Sequence, residues 1–372
     1  MFRALYASTV VGKAVTKQFY RKAHKKAYFI GCSQGGRHGF QAAQDHPELF
    51  DGIVVGAPGL RLPGLFQHMT RWQLQIGQGG NMSVSTEKWG AVQNETLRQC
   101  DYLDGARDGI VEDTRRCKPD LTTLRCGNNT SPTCLTPREL AVIAQFFSPW
   151  TVNNTLIYTG MTHNGAELLH ASTLSGAEPL IYALEWPRYV LYNDASWTLD
   201  RWTPADAVFA VRQNPYGMNA LKGDLSGVRN RGAKIIHYHG LIDELLDSSV
   251  SDGYYEHVLD TMRASPKQLD KFYRYFRVAG LAHCAGGTGA SSLGQGAFAV
   301  PASAETRDNV LSQVVEWVEG GKAPDTLRGS KFVGGDVAKG VEYSRGHCRY
   351  PARNVYKGKG DGRDEKGWQC VV

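Results

Sequence analysis

Five residues, Gly31-Cys32-Ser33-Gln34-Gly35, constrain this chain more than any other stretch. The preceding Ala27-Tyr28-Phe29-Ile30 is a short apolar, aromatic-rich run that reads as a buried strand. From Gly36 to about Gln44 the residues suit a helix. A serine between two glycines at a strand–turn–helix junction is the context in which a G-x-S-x-G match has meaning. Such a turn is tight, and glycines leave room where side chains would collide. The hydroxyl of Ser33 is then pushed out at the top of a sheet. The backbone N–H of Gln34, at the helix start, faces the place where an oxyanion would form. The same pentapeptide also fits a glycine-rich turn with an incidental serine, so the rest of the chain must decide.

The chain has 372 residues, enough for one large domain or two smaller ones. Hydrophobic residues make up 42% and charged residues 21%, the balance of an ordinary globular protein. The net charge of +6 is spread out. Its densest basic stretch, Arg21-Lys22-Ala23-His24-Lys25-Lys26, reads as a solvated linker, which argues against nucleic-acid binding. No run of 18 apolar residues suggests a membrane-spanning helix. The eight cysteines form no C-x-x-C, and no Cys/His group has zinc-ligand spacing. Their even number fits four disulfides and an oxidising compartment. Five N-x-S/T sequons, at Asn81, Asn94, Asn128, Asn129 and Asn153, point the same way and predict one exposed, glycosylated region. Phe2 to Val15 lacks the layout of a secretory signal peptide. A secreted-looking body without that signal predicts a chain that has lost its front.

Residues 2–20 place Leu5, Val10, Val11, Val15 and Phe19 near helical spacing and predict a helix packed on the Ala27 strand. Asp51-Gly52-Ile53-Val54-Val55-Gly56 reads as the next parallel strand. From about Leu60 to Leu221 the alternation of strand and helix stops, and the composition turns to Gly, Asn, Thr and Trp. That stretch is predicted to be an inserted second domain, 60–221, within a body made of 1–59 and 222–372. The alternation resumes with a strand over 233–239, a helix over 249–262, a strand over 272–278 and a helix over 310–319. The implied class is α/β, with a parallel sheet covered by helices. The stretch from about Gly329 reads as irregular, tied down by Cys348 and Cys370.

A serine nucleophile needs a base, and the base needs an orienting acid. His239-Gly240-Leu241-Ile242-Asp243 places an acid just past a strand, and Ala282-His283-Cys284-Ala285-Gly286-Gly287 places a histidine just past the next. Open α/β sheets build their sites at those strand ends. Ser33, Asp243 and His283 therefore stand in the chain order of a hydrolase triad, with Asp247 and Asp252 as alternative acids. His237 and His239 read as strand residues with satisfied side chains. If Ser33 and His283 touch, Cys32 and Cys284 come within disulfide reach.

The Gly-Cys-Ser-Gln-Gly-Gly elbow, the His-Gly-Leu-Ile-Asp loop and the His-Cys-Ala-Gly-Gly loop together resemble the tannase/feruloyl esterase family along essentially the whole chain. The resemblance implies an α/β-hydrolase fold with a large lid inserted after the nucleophile helix. It implies a secreted serine carboxylic-ester hydrolase acting on small phenolic esters, hydroxycinnamoyl (feruloyl) or galloyl, through an acyl-enzyme. It also implies a Cys32–Cys284 bond and a structural Ca²⁺ in the lid. Three carboxylates and two glycines between Cys100 and Ile110 suit a hard cation, although they equally suit an Asp/Gly turn. The ligands the resemblance implies are the side chains of Asp101, Asp104 and Asp108 and the carbonyls of Ala106 and Ile110. A Cys100–Cys117 bond would close that loop, with Cys126–Cys134 and Cys348–Cys370 completing the set. Trp186, Trp197 and Trp202 have two readings, stacking on a phenolic ring or packing in the lid core.

The family carries several strands before the nucleophile, whereas 26 residues precede Ala27 here. The expectation is a sheet of about four parallel strands, without the early loop that supplies a second oxyanion donor. The alternative to an active esterase is an inactive fragment or a non-catalytic calcium-binding member of the same family.

Overall fold

The computed structural model describes residues 2–76, 82–127, 131–174 and 180–372. Its strands in chain order are β1 (Tyr28–Cys32), β2 (Gly52–Gly56), β3 (Trp150–Val152), β4 (Thr155–Tyr158), β5 (Lys234–Gly240), β6 (Tyr273–Val278), β7 (Thr326–Phe332), β8 (Val341–Cys348), β9 (Arg353–Tyr356) and β10 (Trp368–Val371). The first four helices are α1 (Phe2–Tyr20), α2 (Gln34–Asp45), α3 (Leu62–Ile76) and α4 (Thr86–Cys100). Contacts divide the chain into two compact units: Met1–Gly59 with Ala220–Leu241 and Ser251–Val372, and Leu60–Asn219 with Ile242–Val250. The short segment Ile242–Val250, which carries Asp243, thus groups with the middle of the chain.

The first unit is built on a parallel sheet of order β1-β2-β5-β6. Every residue of β2 (GIVVG) is buried, as are all but the first of β5 (KIIHYHG), which is why these strands read as continuous apolar runs. One face packs Val54, Ile236, Tyr238, Phe276 and Val278 against Val310, Val314 and Trp317 of the helix Val310–Gly320. Each such side chain contributes about 1.5–3 kcal/mol on burial. On α2, Phe40 meets the rings of Tyr254 (4.7 Å) and His237 (5.1 Å) edge-on. His237 and His239 are wholly buried within β5. His237 bonds Tyr273 Oη (3.0 Å) and Ser251 Oγ (3.0 Å), and His239 Nδ1 bonds the same Oγ (2.6 Å). Burial first, and then the neighbouring His239, hold the His237 imidazole well below its ordinary pKa.

Two expectations need correction. Helix α1 forms, but Val10, Val11, Val15 and Phe19 are exposed rather than packed on β1. The helix instead leans on the end of α2 and the loop beyond. The Tyr6 ring lies tilted against that of His46 (4.7 Å between rings), Lys13 donates to the Leu49 carbonyl, and its ammonium lies 5.8 Å from the Phe50 ring. A 3.6-residue period specifies an apolar stripe but not its partner. The C-terminal stretch is not irregular either: β7 pairs antiparallel with β8, β9 with β10, and Cys348–Cys370 ties β8 to β10. Glycines within and between these short strands hide their alternation in the sequence.

The second unit is mainly helical, with one hairpin, β3–β4. Its core is aromatic: Trp72 and Trp89 meet Phe146 edge-on at 5.0 and 5.4 Å, and His68 lies 4.5 Å from Tyr158. The helix Pro137–Phe146, which supplies Phe146, starts at a capping box of Thr136 and Glu139. Trp186 and Trp197 are buried, and Trp202 packs against Trp150 while donating to Gln67 Oε1 (2.7 Å). Each of the three tryptophans thus serves the core of this unit.

Candidate active site

Ser33 follows β1 directly and precedes α2. Its backbone sits at φ 61°, ψ −120°, a region that costs an L-residue about 1–3 kcal/mol. Three hydrogen bonds hold it there. Ser33 N–H donates to Gly56 O (3.0 Å), and Ser33 O accepts from Arg37 N (3.0 Å) and Gly59 N (3.3 Å). The glycines have distinct jobs. A Cβ on Gly31 would stand 2.7 Å from the Gly35 backbone, and one on Gly36 would stand 2.3 Å from Gly56 O. A Cβ on Gly35 would meet nothing within 4 Å. The close approach of helix to β2 therefore depends on Gly36, one residue beyond the pentapeptide.

His283 lies in the loop after β6 and reaches back to the elbow, with Nε2 2.8 Å from Ser33 Oγ. Both residues are partly exposed, as a nucleophile and base open to substrate must be. The neighbouring Cys32–Cys284 bond (S–S 2.05 Å, Cα–Cα 5.9 Å) is buried beside Ala57 and joins the two loops covalently. The base loop turns through Gly280 (φ 71°) and Cys284 (φ 63°), and Gln295 Nε2 donates to Cys284 O (3.2 Å). Gln34 is the first residue of α2, where amides point along the helix axis toward any anion at its end. Its side-chain Oε1 accepts from Arg37 Nε (2.8 Å), while Arg37 Nη1 donates to Gln41 Oε1 (2.8 Å). Burial lowers the Arg37 pKa to about 10, so the guanidinium stays charged at neutral pH.

The three acids left open by the sequence have different surroundings. Asp243 is buried, and its Oδ1 accepts from Leu245 N (3.0 Å) and Leu246 N (2.8 Å). Asp247 receives Thr162 N (2.6 Å) and Thr162 Oγ1 (2.9 Å) on Oδ2 and Ser249 N (2.8 Å) on Oδ1, while its own N–H donates to Tyr158 Oη (3.0 Å). Asp252 Oδ1 accepts from Tyr275 Oη (2.9 Å), and its Oδ2 lies 3.8 Å from Arg277 Nη1. Asp247 and Asp252 are thus committed to structural partners. Sequence reasoning did not find the Tyr158–Thr162 clamp on Asp247, because it joins residues more than 80 positions apart.

The remaining disulfides are Cys100–Cys117, Cys126–Cys134 and Cys348–Cys370. Within the first, Asp101 Oδ1 accepts from Asp108 N (3.3 Å), Gly109 N (3.0 Å) and Ile110 N (3.2 Å). Asp104 Oδ1 accepts from Ala106 N (2.8 Å), and Asp108 Oδ1 from Ile110 N (3.1 Å). Burial, followed by the nearby Asp108 charge, raises the Asp101 pKa. An all-oxygen set with two carboxylates that repel each other fits a hard cation. Among the described residues no three His, Cys, Asp or Glu side chains converge as a metal cluster, so such an ion would also need main-chain carbonyls. Asn94, on α4, and Asn153, at the β3–β4 turn, are exposed; Asn81, Asn128 and Asn129 lie outside the described residues.

A family model described as tannase and feruloyl esterase matches residues 1–179 and 195–371. The chain belongs to this family. It is 44% identical over 374 residues to the probable feruloyl esterase B of Emericella nidulans, spanning 100% of this chain and 70% of that protein. The probable feruloyl esterase B-2 of Aspergillus fumigatus is 42% identical over 378 residues, with the same coverage. The crystal structure of feruloyl esterase B from Aspergillus oryzae superposes with a TM-score of 0.93 at 42% identity, covering 99% of this chain and 74% of that one. The tannin acyl hydrolase of Aspergillus niger, 20% identical, shares the fold with a TM-score of 0.74 over 98% of this chain and 68% of that one. This member of the tannase and feruloyl esterase family is an α/β-hydrolase and a carboxylic ester hydrolase.

Proposed function

We propose that the chain hydrolyses hydroxycinnamoyl esters, of which feruloyl esters are the type, through an acyl-serine intermediate. The observation that carries this reading is the 2.8 Å contact between His283 Nε2 and Ser33 Oγ on a strained elbow. Ser33 Oγ attacks the ester carbonyl while His283 Nε2 takes its proton. The oxyanion of the tetrahedral intermediate accepts the Gln34 N–H at the start of α2. His283 then protonates the departing alcohol, and water, deprotonated by the same imidazole, releases the acid. Asp243 is assigned as the acid that orients the imidazole and stabilises its cation. Support comes from its place after β5 and from the commitment of Asp247 and Asp252 to other partners. The feruloyl preference over galloyl follows the names of the relatives that are 42–44% identical to this chain over the aligned residues.

Four disulfides support folding in an oxidising compartment, and hence a secreted enzyme with glycans at exposed sequons such as Asn94 and Asn153. A Ca²⁺ ion in the Asp101–Ile110 loop would require the side chains of Asp101, Asp104 and Asp108, which do not converge as they stand, to turn toward one point together with the carbonyls of Ala106 and Ile110; there it would neutralise the loop's charge and brace its fold, with no part in bond cleavage. The functional test is hydrolysis of methyl ferulate and methyl gallate beside the Ser33→Ala variant. Turnover of the ferulate ester that vanishes in the variant supports the reading. Preference for the gallate ester would reassign the acyl group, and activity that survives in Ser33→Ala would reject the mechanism.

A further inference from the structure

At the N-terminal ends of β5 and β6, opposite the strand ends that lead to the reacting residues, the first unit carries a cavity of about 540 Å³. Five cations line it: Lys234, Lys267, Lys271, Arg274 and Arg349. Asp270 is the one acid in that lining. The volume falls within the range of small-molecule sites, about 300–1,000 Å³, and exceeds the need of a single inorganic ion. The two arginines are already fixed. Arg274 Nη1 and Arg349 Nη1 share Asp325 Oδ1 at 2.8 and 3.0 Å, and Arg349 Nε lies 3.3 Å from Asp270 Oδ2. The lysines are placed differently. Lys234 Nζ donates to the Lys271 carbonyl (3.1 Å) and lies 5.6 Å from the Trp317 ring, which Arg274 also approaches at 5.3 Å. Lys267 and Lys271 stand exposed at the rim. Among the described residues none of the three ammonium groups has a carboxylate within ion-pair distance.

Two of these charges, on Lys234 and Arg274, sit where burial disfavours them. Burial lowers the pKa of Lys234, and burial together with the Arg349 charge lowers that of Arg274. A cluster of like charges around a cavity costs stability, and an anion in the cavity would relieve it. The shared Asp325 oxygen shows that a carboxylate fits against these arginines.

We propose that this cleft is a binding site for a molecule carrying two or more carboxylates, with Lys234, Lys267 and Lys271 as its main contacts. Its source is either a small polycarboxylic acid or an oligomer of uronic acids. The site uses none of the residues assigned to ester cleavage, so it stands or falls independently of the esterase reading.

The test is isothermal titration of the intact chain at low salt with citrate and with trigalacturonate, beside acetate and inorganic phosphate. The Lys267→Ala/Lys271→Ala variant changes two exposed side chains and should retain ester hydrolysis unchanged, which reports an intact fold. The expected result is binding of a multivalent carboxylate that weakens at least tenfold in this variant and declines with added salt. Trigalacturonate binding tighter than citrate assigns the oligouronate source, and the reverse order the small acid. The proposal is overturned if neither binds more tightly than acetate, if phosphate matches both, or if the folded variant binds unchanged.

Discussion

Removing the Cys32–Cys284 bond by the double change Cys32→Ala/Cys284→Ala separates two effects that the structure ties together. The bond joins residues 252 positions apart. Loop entropy grows with the logarithm of that separation, so its loss costs about 5 kcal/mol, against ~3 kcal/mol for the 17-residue separation of Cys100–Cys117. The second effect is catalytic. Ser33 is held at φ 61° and His283 Nε2 lies 2.8 Å from its Oγ, each one residue from the bond. A displacement of about 1 Å at a reacting pair can cost ~10²-fold in rate. The expected outcome is a lower urea midpoint together with a kcat on methyl ferulate reduced about 10²-fold, with KM little changed. Urea unfolding at neutral pH and steady-state kinetics at a temperature where the variant remains folded read the two effects separately. Full kcat in a destabilised variant would refute the claim that the bond sets the geometry of nucleophile and base.

Other outcomes follow from the same geometry. Gly36→Ala drives a methyl into Gly56 O and should lose at least about 2 kcal/mol in urea unfolding, whereas Gly35→Ala, with open space around it, should keep its stability or gain up to ~1 kcal/mol of helix propensity. Asp243→Asn should lower kcat by a factor on the order of 10⁴. Asp252→Asn should retain kcat within roughly tenfold, and equal losses in the two variants would reject Asp243 as the acid. Asp247→Asn replaces one carboxylate oxygen with an amide N–H₂ that must face a donor N–H on either Thr162 or Ser249, and should cost about 2–3 kcal/mol of stability. Chelation by EGTA should lower the thermal midpoint and leave the Cys100–Cys117 loop open to proteolysis; an unchanged midpoint would reject the calcium assignment.

The sheet was legible because β2, β5 and most of β6 are buried and so read as unbroken apolar runs, whereas β1, expected to be buried, is partly exposed over Tyr28–Gly31; expectation and structure differ by about one residue at each end. The elbow was legible because a tight turn between strand and helix leaves few residue choices. Its reliance on Gly36 was not, since the collision partner, Gly56 O, lies in another strand. The acid stayed open among three aspartates because spacing counts carboxylates but not the donors around them. Thr162, Tyr158 and Tyr275 supply those donors from distant positions. Helix α1 shows the opposite case: its period is clear, yet Val10, Val11, Val15 and Phe19 face outward. The aromatic core of the second unit has no period to read, because Trp72, Trp89 and Phe146 come from three separate helices.

The central claim, that Ser33 is a nucleophile activated by His283, is tested most directly by intact-mass measurement after exposure to a fluorophosphonate. The account predicts one covalent adduct on the 372-residue chain, mapped to the peptide containing Ser33 and absent in both Ser33→Ala and His283→Ala. A folded chain that takes no label, or one labelled equally after Ser33→Ala, would contradict it.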